Sequence, residues 1–173
     1  MSTIDFETKE KQLLAQTANE NVEAMYLLGL HYYNNEYMEK AYTWFNRAAL
    51  LGHGDSYYYL GLLYENASGY SWAKENPERN LLQAAIYYAV GTDRKSAKAT
   101  FKLGRLYLYG EADTPVDTQK GIEYLQKAVR RKSAEACEEL ALCYEKGIGV
   151  EIDLKKSAKY AKKAAELVQS ENL

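Results

Sequence analysis

Apolar and small residues recur along this chain at i, i+3, i+4 and i+7, the spacing that lines one face of an α-helix. The string Leu28-Gly29-x-x-Tyr32 returns as Leu60-Gly61-x-x-Tyr64, as Leu103-Gly104-x-x-Tyr107 and, with Ala for Gly, as Leu140-Ala141-x-x-Tyr144. The copies are 32, 43 and 37 residues apart, a period that stacked two-helix units produce. A second string follows each copy: Ala41-x-x-Trp44-Phe45-x-x-Ala48-Ala49, Ala84-x-x-Tyr87-Tyr88, Gly121-x-x-Tyr124-Leu125-x-x-Ala128 and Ser157-x-x-Tyr160-Ala161-x-x-Ala164-Ala165.

Each unit thus reads as a pair of helices. Glycine inside a helix costs about 1 kcal/mol relative to alanine, so its return at Gly29, Gly61 and Gly104 predicts that a neighbouring helix approaches closely there. Ala41 and Ala48 are expected to let the second helix sit near the first, with Trp44 and Phe45 as buried bulk. Gly147 is the expected C-cap of one helix, and Asp117 and Asp153 are expected N-caps. The expected organisation is one repeat domain over 1–173. An N-terminal helix lies in 1–19, with its helical stretch at 3–16. Repeats follow at 20–54, 55–95, 96–132 and 133–173, and an insertion at 67–78 breaks the register of the second. Residues 153–169 close the array, and Lys155, Lys159, Lys162, Lys163 and Glu166 suit a polar outer face.

Composition agrees. Pro is scarce, at 2 residues, and 47% hydrophobic with 27% charged residues is ordinary for a folded domain. The net charge of -2 argues against a nucleic-acid binder. No apolar run reaches the roughly 20 residues of a membrane span, and the N-terminus lacks the apolar core of a secretory signal. The expected setting is cytoplasmic. Tyr is overused, at 17 against 3 Phe.

The fuller pattern A-x-x-x-L-G-x-x-Y … G-x-G-V-x-x-D-x-x-K-A … A-A resembles the Sel-one-like repeat, a relative of the tetratricopeptide repeat. It is carried best by Ala136, Leu140, Tyr144, Gly147, Gly149, Val150, Asp153, Lys156, Ala164 and Ala165. The resemblance covers about residues 20 to 168 and implies an all-α, right-handed α-solenoid of four helix-turn-helix repeats. It departs from the family in a short first loop, a long second loop and Ala141.

Catalytic chemistry has little to stand on. His31 lies on a first helix and His53 in a turn, and neither has a partner in sequence that would make it a general base. Cys137 and Cys143 are six residues apart, about 600° of helical rotation, so they read as small buried residues and not as a disulfide or metal pair. Gly147-x-Gly149 follows no strand and lacks a third glycine, which makes it a turn. No enzyme, cofactor, metal site or small-molecule substrate is expected, and no nucleic-acid or membrane partner.

What remains is a surface for proteins. The related tetratricopeptide fold places groove residues two before, two after and five to six after the repeat Leu. Transferred to this chain, those positions give Tyr26, Leu30, Tyr33 and Asn34 in the first unit, Tyr58, Leu62, Glu65 and Asn66 in the second, Phe101, Arg105, Leu108 and Tyr109 in the third, and Glu138, Leu142, Glu145 and Lys146 in the fourth. Of these, Tyr26, Leu30, Tyr33, Tyr58, Leu62, Glu65, Asn66, Phe101, Arg105 and Tyr109 are the expected concave, tyrosine-rich binding face. Tyr32, Tyr64, Tyr107, Tyr124, Tyr144 and Tyr160 match core positions instead. Charge is uneven: residues 1–70 hold 9 acids and 4 bases, whereas 91–173 hold 13 acids and 16 bases. The expected function is an adaptor or scaffold binding a peptide or protein. The alternative is a specific inhibitor or immunity protein that neutralises a cognate toxin or enzyme, to which a projecting Tyr70–Trp72 loop would suit. A hydrolase is a third reading, for which no nucleophile–base pair is present.

Overall fold

A computed structural model describes residues 3–66, 77–110 and 114–171. The described residues are helical throughout their regular structure. They run α1 (Thr3–Gln16), a 3-10 turn at Ala18–Glu20, α2 (Val22–Asn34), α3 (Met38–Leu50), α4 (Gly54–Glu65), α5 (Pro77–Asp93), α6 (Ala97–Tyr109), α7 (Thr118–Arg130), α8 (Ala134–Lys146) and α9 (Leu154–Glu171). This is an all-α helical-repeat fold of the solenoid class. By internal contacts the chain divides into two compact units, Met1–Tyr87 and Tyr88–Leu173. Most of the expected insertion, residues 67–76 with Tyr70 and Trp72, lies outside the described residues.

The recurring small residues do what their spacing implies. A Cβ added at Gly29 would stand 2.6 Å from the Phe45 ring, and one added at Gly121 would stand 2.9 Å from the Leu108 backbone nitrogen. Both helix pairs are therefore packed closer than alanine allows. Phe45 is fully buried. Trp44 departs from expectation: it is only partly buried, and its ring lies 4.9 Å from the Arg47 guanidinium. Phe45 takes the inward slot one residue on, so Trp44 is turned about 100° away from it.

The consensus tyrosines form a repeated device. Tyr107 stacks on Tyr124 at 5.6 Å and 7°, and Tyr144 on Tyr160 at 5.7 Å and 7°. A lysine from the following helix roofs three of the first-helix rings: Lys40 over Tyr32 at 4.9 Å, Lys120 over Tyr107 at 4.0 Å and Lys156 over Tyr144 at 5.0 Å. The cation meets the negative face of the ring while staying hydrated. Asp117 and Asp153 set the register of two of these lysines, because each carboxylate accepts the N–H three residues on, from Lys120 and Lys156, both at 2.9 Å.

The turns between repeats share one geometry. Gly52, Lys95 and Lys132 take positive φ of 93°, 65° and 66°. The next residue in each case, His53, Ser96 or Ser133, caps the following helix by accepting the N–H of Ser56, Ala99 or Ala136 at 3.2, 3.1 and 3.1 Å. A left-handed residue turns the chain, and the cap side chain satisfies an otherwise unpaired helix N–H. Gly147 ends α8 in the left-handed conformation as expected, donating its N–H to the Cys143 carbonyl.

α1 seats on α2. Phe6 stacks on His31 at 4.4 Å, Leu13 is buried, and the Tyr32 hydroxyl donates to Glu10 at 2.5 Å. In the second unit, α9 carries the lysines expected of a polar cap, and they are exposed. The same helix also leaves Leu154, Ala158, Ala161 and Ala165 exposed, so its outward surface is not uniformly polar.

Candidate functional site: an aromatic cluster in the first unit and a charged triad in the second

The expected binding residues fall into separate clusters, one in each unit. In the first unit, α2, α3 and α4 bring five aromatic rings together. Tyr59 stacks on Phe45 at 4.8 Å and 11°. Tyr33 meets Tyr59 edge-on at 5.3 Å, and Tyr58 meets it at 5.0 Å. Tyr26 lies 6.1 Å from Phe45 and 4.2 Å from the His53 ring.

Tyr26 is only 8% exposed. It belongs to the interior of this cluster, and burial, aided by the neighbouring Tyr59 and Asp55, pushes its phenol well above the usual tyrosine range. Tyr33 and Tyr58 are partly exposed, as are Leu30, Leu62 and Glu65, and Asn66 is exposed. Burial also raises the Tyr33 phenol, with smaller contributions from Tyr59 and Glu65. Three of the expected residues, Tyr33, Leu62 and Asn66, join Met38 and Leu63 to line a cleft of about 140 Å³. Asn66 is held there by donating its side-chain amide to the Leu62 carbonyl at 3.0 Å.

The hub of the cluster is Tyr59, which the repeat-position argument passed over. The run Tyr57-Tyr58-Tyr59 was the available signal, since three successive helical positions span about 200° and at least one must face inward. His53 was read as a turn residue. From that turn its Nδ1 also caps α4, while its Nε2 lies 3.5 Å from Glu23.

In the second unit, α6 and α8 assemble Arg105, Tyr109 and Glu139. The Tyr109 hydroxyl donates to Glu139 at 2.5 Å, Arg105 Nε lies 3.4 Å from the same carboxylate, and the guanidinium sits 5.5 Å from the Tyr109 ring. Burial and then donation to Glu139 raise the Tyr109 phenol. Tyr109 remains 38% exposed. Phe101 does not join this triad; it packs on the apolar core of the unit with Leu108, Leu125 and Cys137. Both cysteines are buried, and burial pushes the Cys143 thiol up to about 11.

Among the described residues no helix is long and apolar enough to cross a membrane. Nor do these residues gather three or more His, Cys, Asp or Glu side chains able to hold a metal ion. Tyr33, Tyr58 and Tyr109 are only partly covered; ring contacts with Tyr59 fix the first two, and the Glu139 carboxylate fixes the third.

Residues 22–53, 97–133 and 134–168 match the Sel1 repeat. The chain belongs to the Sel1 repeat family. The stretch 54–96, with the long second connection, falls between the matches. Proteins with this repeat are generally protein-interaction adaptors, and the fold is typically non-enzymatic. This Sel1 repeat chain is 30% identical over 138 residues to Activator of C kinase protein 1 of Saccharomyces cerevisiae, covering 70% of the chain and 22% of that protein. It is 32% identical over 111 residues to Chitin synthase regulatory factor 1 of Schizosaccharomyces pombe, covering 64% and 23%. The chain therefore spans less than a quarter of the curated relatives it matches. Among solved structures, a Sel1 repeat protein from Oxalobacter formigenes superposes with a TM-score of 0.77 at 25% identity, over 91% of this chain and 63% of that one. The protective antigen c5321 of uropathogenic Escherichia coli superposes with 0.72 at 25% identity, over 91% and 33%.

Proposed function

We propose that this Sel1 repeat chain is an adaptor without chemistry of its own, which binds a protein partner through the aromatic face of its first unit. The observation that carries the reading is the cleft walled by Tyr33, Met38, Leu62, Leu63 and Asn66. It offers an apolar floor, an aromatic wall and an amide at one edge, the mixture found where interfaces place an anchoring side chain. Leu30, Tyr58 and Glu65 extend the surface along the same two helices. Tyr loses little rotamer freedom on contact and is enriched at such anchors. In the second unit, Arg105 and Tyr109 present a charged and aromatic pair suited to polar parts of a partner. Two relatives are named for regulation, one as an activator of C kinase and one as a chitin synthase regulatory factor. An enzyme regulated by binding is therefore the class of partner to look for.

The test starts from affinity capture by the intact chain, followed by calorimetry with the captured partner. Tyr33→Ala combined with Leu62→Ala is expected to weaken binding at least tenfold, about 1.4 kcal/mol, while the helical circular dichroism spectrum is retained. Tyr26→Ala serves as the contrast. Its ring is interior, so it is expected to cost about 3 kcal/mol of stability and to affect binding only through that loss. An unchanged affinity in the Tyr33→Ala, Leu62→Ala protein would remove the cleft from the interface.

A further inference from the structure

The repeats of the second unit can be compared with one another position by position. In repeat 3, Leu108, Leu125 and Val129 of α6 and α7 are buried, and they share one apolar cluster with Ala136, Cys137, Leu140 and Cys143 of α8. Phe101 packs against the same cluster. These four residues of α6 and α7 are thus the seat on which the next helix rests. In repeat 4 the positions 37 and 36 residues further on are Glu138 for Phe101, Glu145 for Leu108, Ala161 for Leu125 and Ala165 for Val129. All four are exposed. Together with Ala141, Leu142, Ser157 and Ala164 they line a groove of about 400 Å³ between α8 and α9.

The same helix seat is therefore present at the end of repeat 4 with two changes. Two large aliphatic side chains have become methyl groups, which hollows the floor. Two apolar positions have become carboxylates one heptad apart on α8, about 10 Å along the helix, which makes the rim acidic. Nearby lysines of α9 are engaged elsewhere: Lys162 with Glu166 at 3.8 Å and Lys156 with Asp153 at 3.6 Å.

We infer that the α8–α9 groove is a docking site for an amphipathic helix of a partner protein, one that carries large aliphatic residues on the buried face and Lys or Arg one heptad apart beside them. The aliphatic residues replace the volume that Leu125 and Val129 fill in repeat 3. The basic residues meet Glu138 and Glu145, which steers the approach and rejects acidic helices. This site is distinct from the cleft on the first unit and stands or falls without it.

The probe is a fluorescein-labelled helical peptide of three heptads with Leu on one face and Lys one heptad apart at its flanks, alongside the same peptide with Glu for Lys. Fluorescence anisotropy with the intact chain is expected to show binding of the lysine peptide at least tenfold tighter than the glutamate peptide. Ala161→Leu with Ala165→Val restores the side chains of repeat 3 and is expected to weaken the lysine peptide at least tenfold. Glu138→Lys with Glu145→Lys is expected to reverse the preference between peptides. All four positions are exposed, and retained thermal unfolding midpoints show that the variants are folded. Equal binding of both peptides, or binding unaffected by filling the floor, would overturn the inference. So would a dimer in sedimentation equilibrium that Ala161→Leu dissolves, since the occupant would then be a second copy of this chain.

Discussion

Single residues hold the repeat turns at some cost. Lys95 and Lys132 occupy left-handed backbone that a Cβ disfavours by about 1–2 kcal/mol, whereas the equivalent position of the first turn is Gly52. Lys132→Gly should therefore raise stability by about 0.5–1 kcal/mol once the added freedom of the unfolded chain is deducted. Urea unfolding of the purified protein measures it, and a loss of stability would mean that the Lys132 side chain contributes packing of its own. The caps beside these turns were only partly readable in advance. Asp117 and Asp153 follow from the usual preference of carboxylates for helix starts. His53 does not, because an imidazole caps only when its ring nitrogen is aimed at the following N–H. Arg131 was hidden for a similar reason. Its guanidinium donates to the carbonyls of Thr92 and Ser96 and to the Thr100 hydroxyl, a convergence that depends on turn geometry and not on spacing along the chain.

Among the elements, α1 is held on α2 by a titratable contact. Donation from Tyr32 holds the Glu10 carboxyl below its ordinary value of 4.5; burial opposes this and Lys40 assists. A depressed carboxyl contributes stability that is present above its unfolded pKa and lost as pH falls through the folded one. The docking of α1 on α2 should weaken as the solution is acidified below about pH 4.5, and Tyr32→Phe should flatten that dependence. Amide signals of α1 followed by nuclear magnetic resonance between pH 6 and pH 3 would check it; an α1 equally protected at both ends would show that Phe6 and Leu13 suffice. The existence of α1 was legible from Ile4, Phe6, Leu13 and Leu14. Which of these face inward was not, since Ile4 and Leu14 are exposed while Phe6 and Leu13 pack. A four-residue apolar set on a polar helix supports two neighbouring stripes, and only the partner helix chooses. The same limit applies to the binding residues. The repeat register put Tyr26 and Tyr33 on one surface, yet Tyr59, invisible to that register, draws Tyr26 into the ring cluster and leaves Tyr33 at the cleft.

For the molecule taken whole, the excess of tyrosine has a measurable consequence in alkali. Burial raises the phenols of Tyr26, Tyr32, Tyr33, Tyr64, Tyr109 and Tyr160, and lifts Tyr87 to about 12. A raised phenol is neutral in the fold, so its contribution is complete below the unfolded value near 10 and vanishes as pH climbs through the folded one. The unfolding temperature should stay level from neutral pH to about pH 9.5 and fall beyond it. Tyrosinate absorbance should then rise in step with loss of the helical signal. Tyrosinate forming well before unfolding would mean that these rings reach water in the native state. The helical character of the chain and its repeat nature were readable from the Leu-Gly-x-x-Tyr spacing, because close helix packing demands small residues at fixed intervals. Glu138, Leu142 and Glu145 fall on groove positions of the repeat register, but the hollow beside Ala161 and Ala165 was not legible, because its meaning lies in what repeat 3 places at the same positions.

Cys137 and Cys143 add one more use of the fold. Both lie in the second unit, sealed from solvent, and the sequence contains 2 Cys in all. A thiol-specific dye can therefore react only when that unit opens, so its labelling rate is an internal clock for breathing of residues 88–173. The first unit stays silent in the same assay, which lets a partner's grip on one half be timed apart from the other without introducing any reporter.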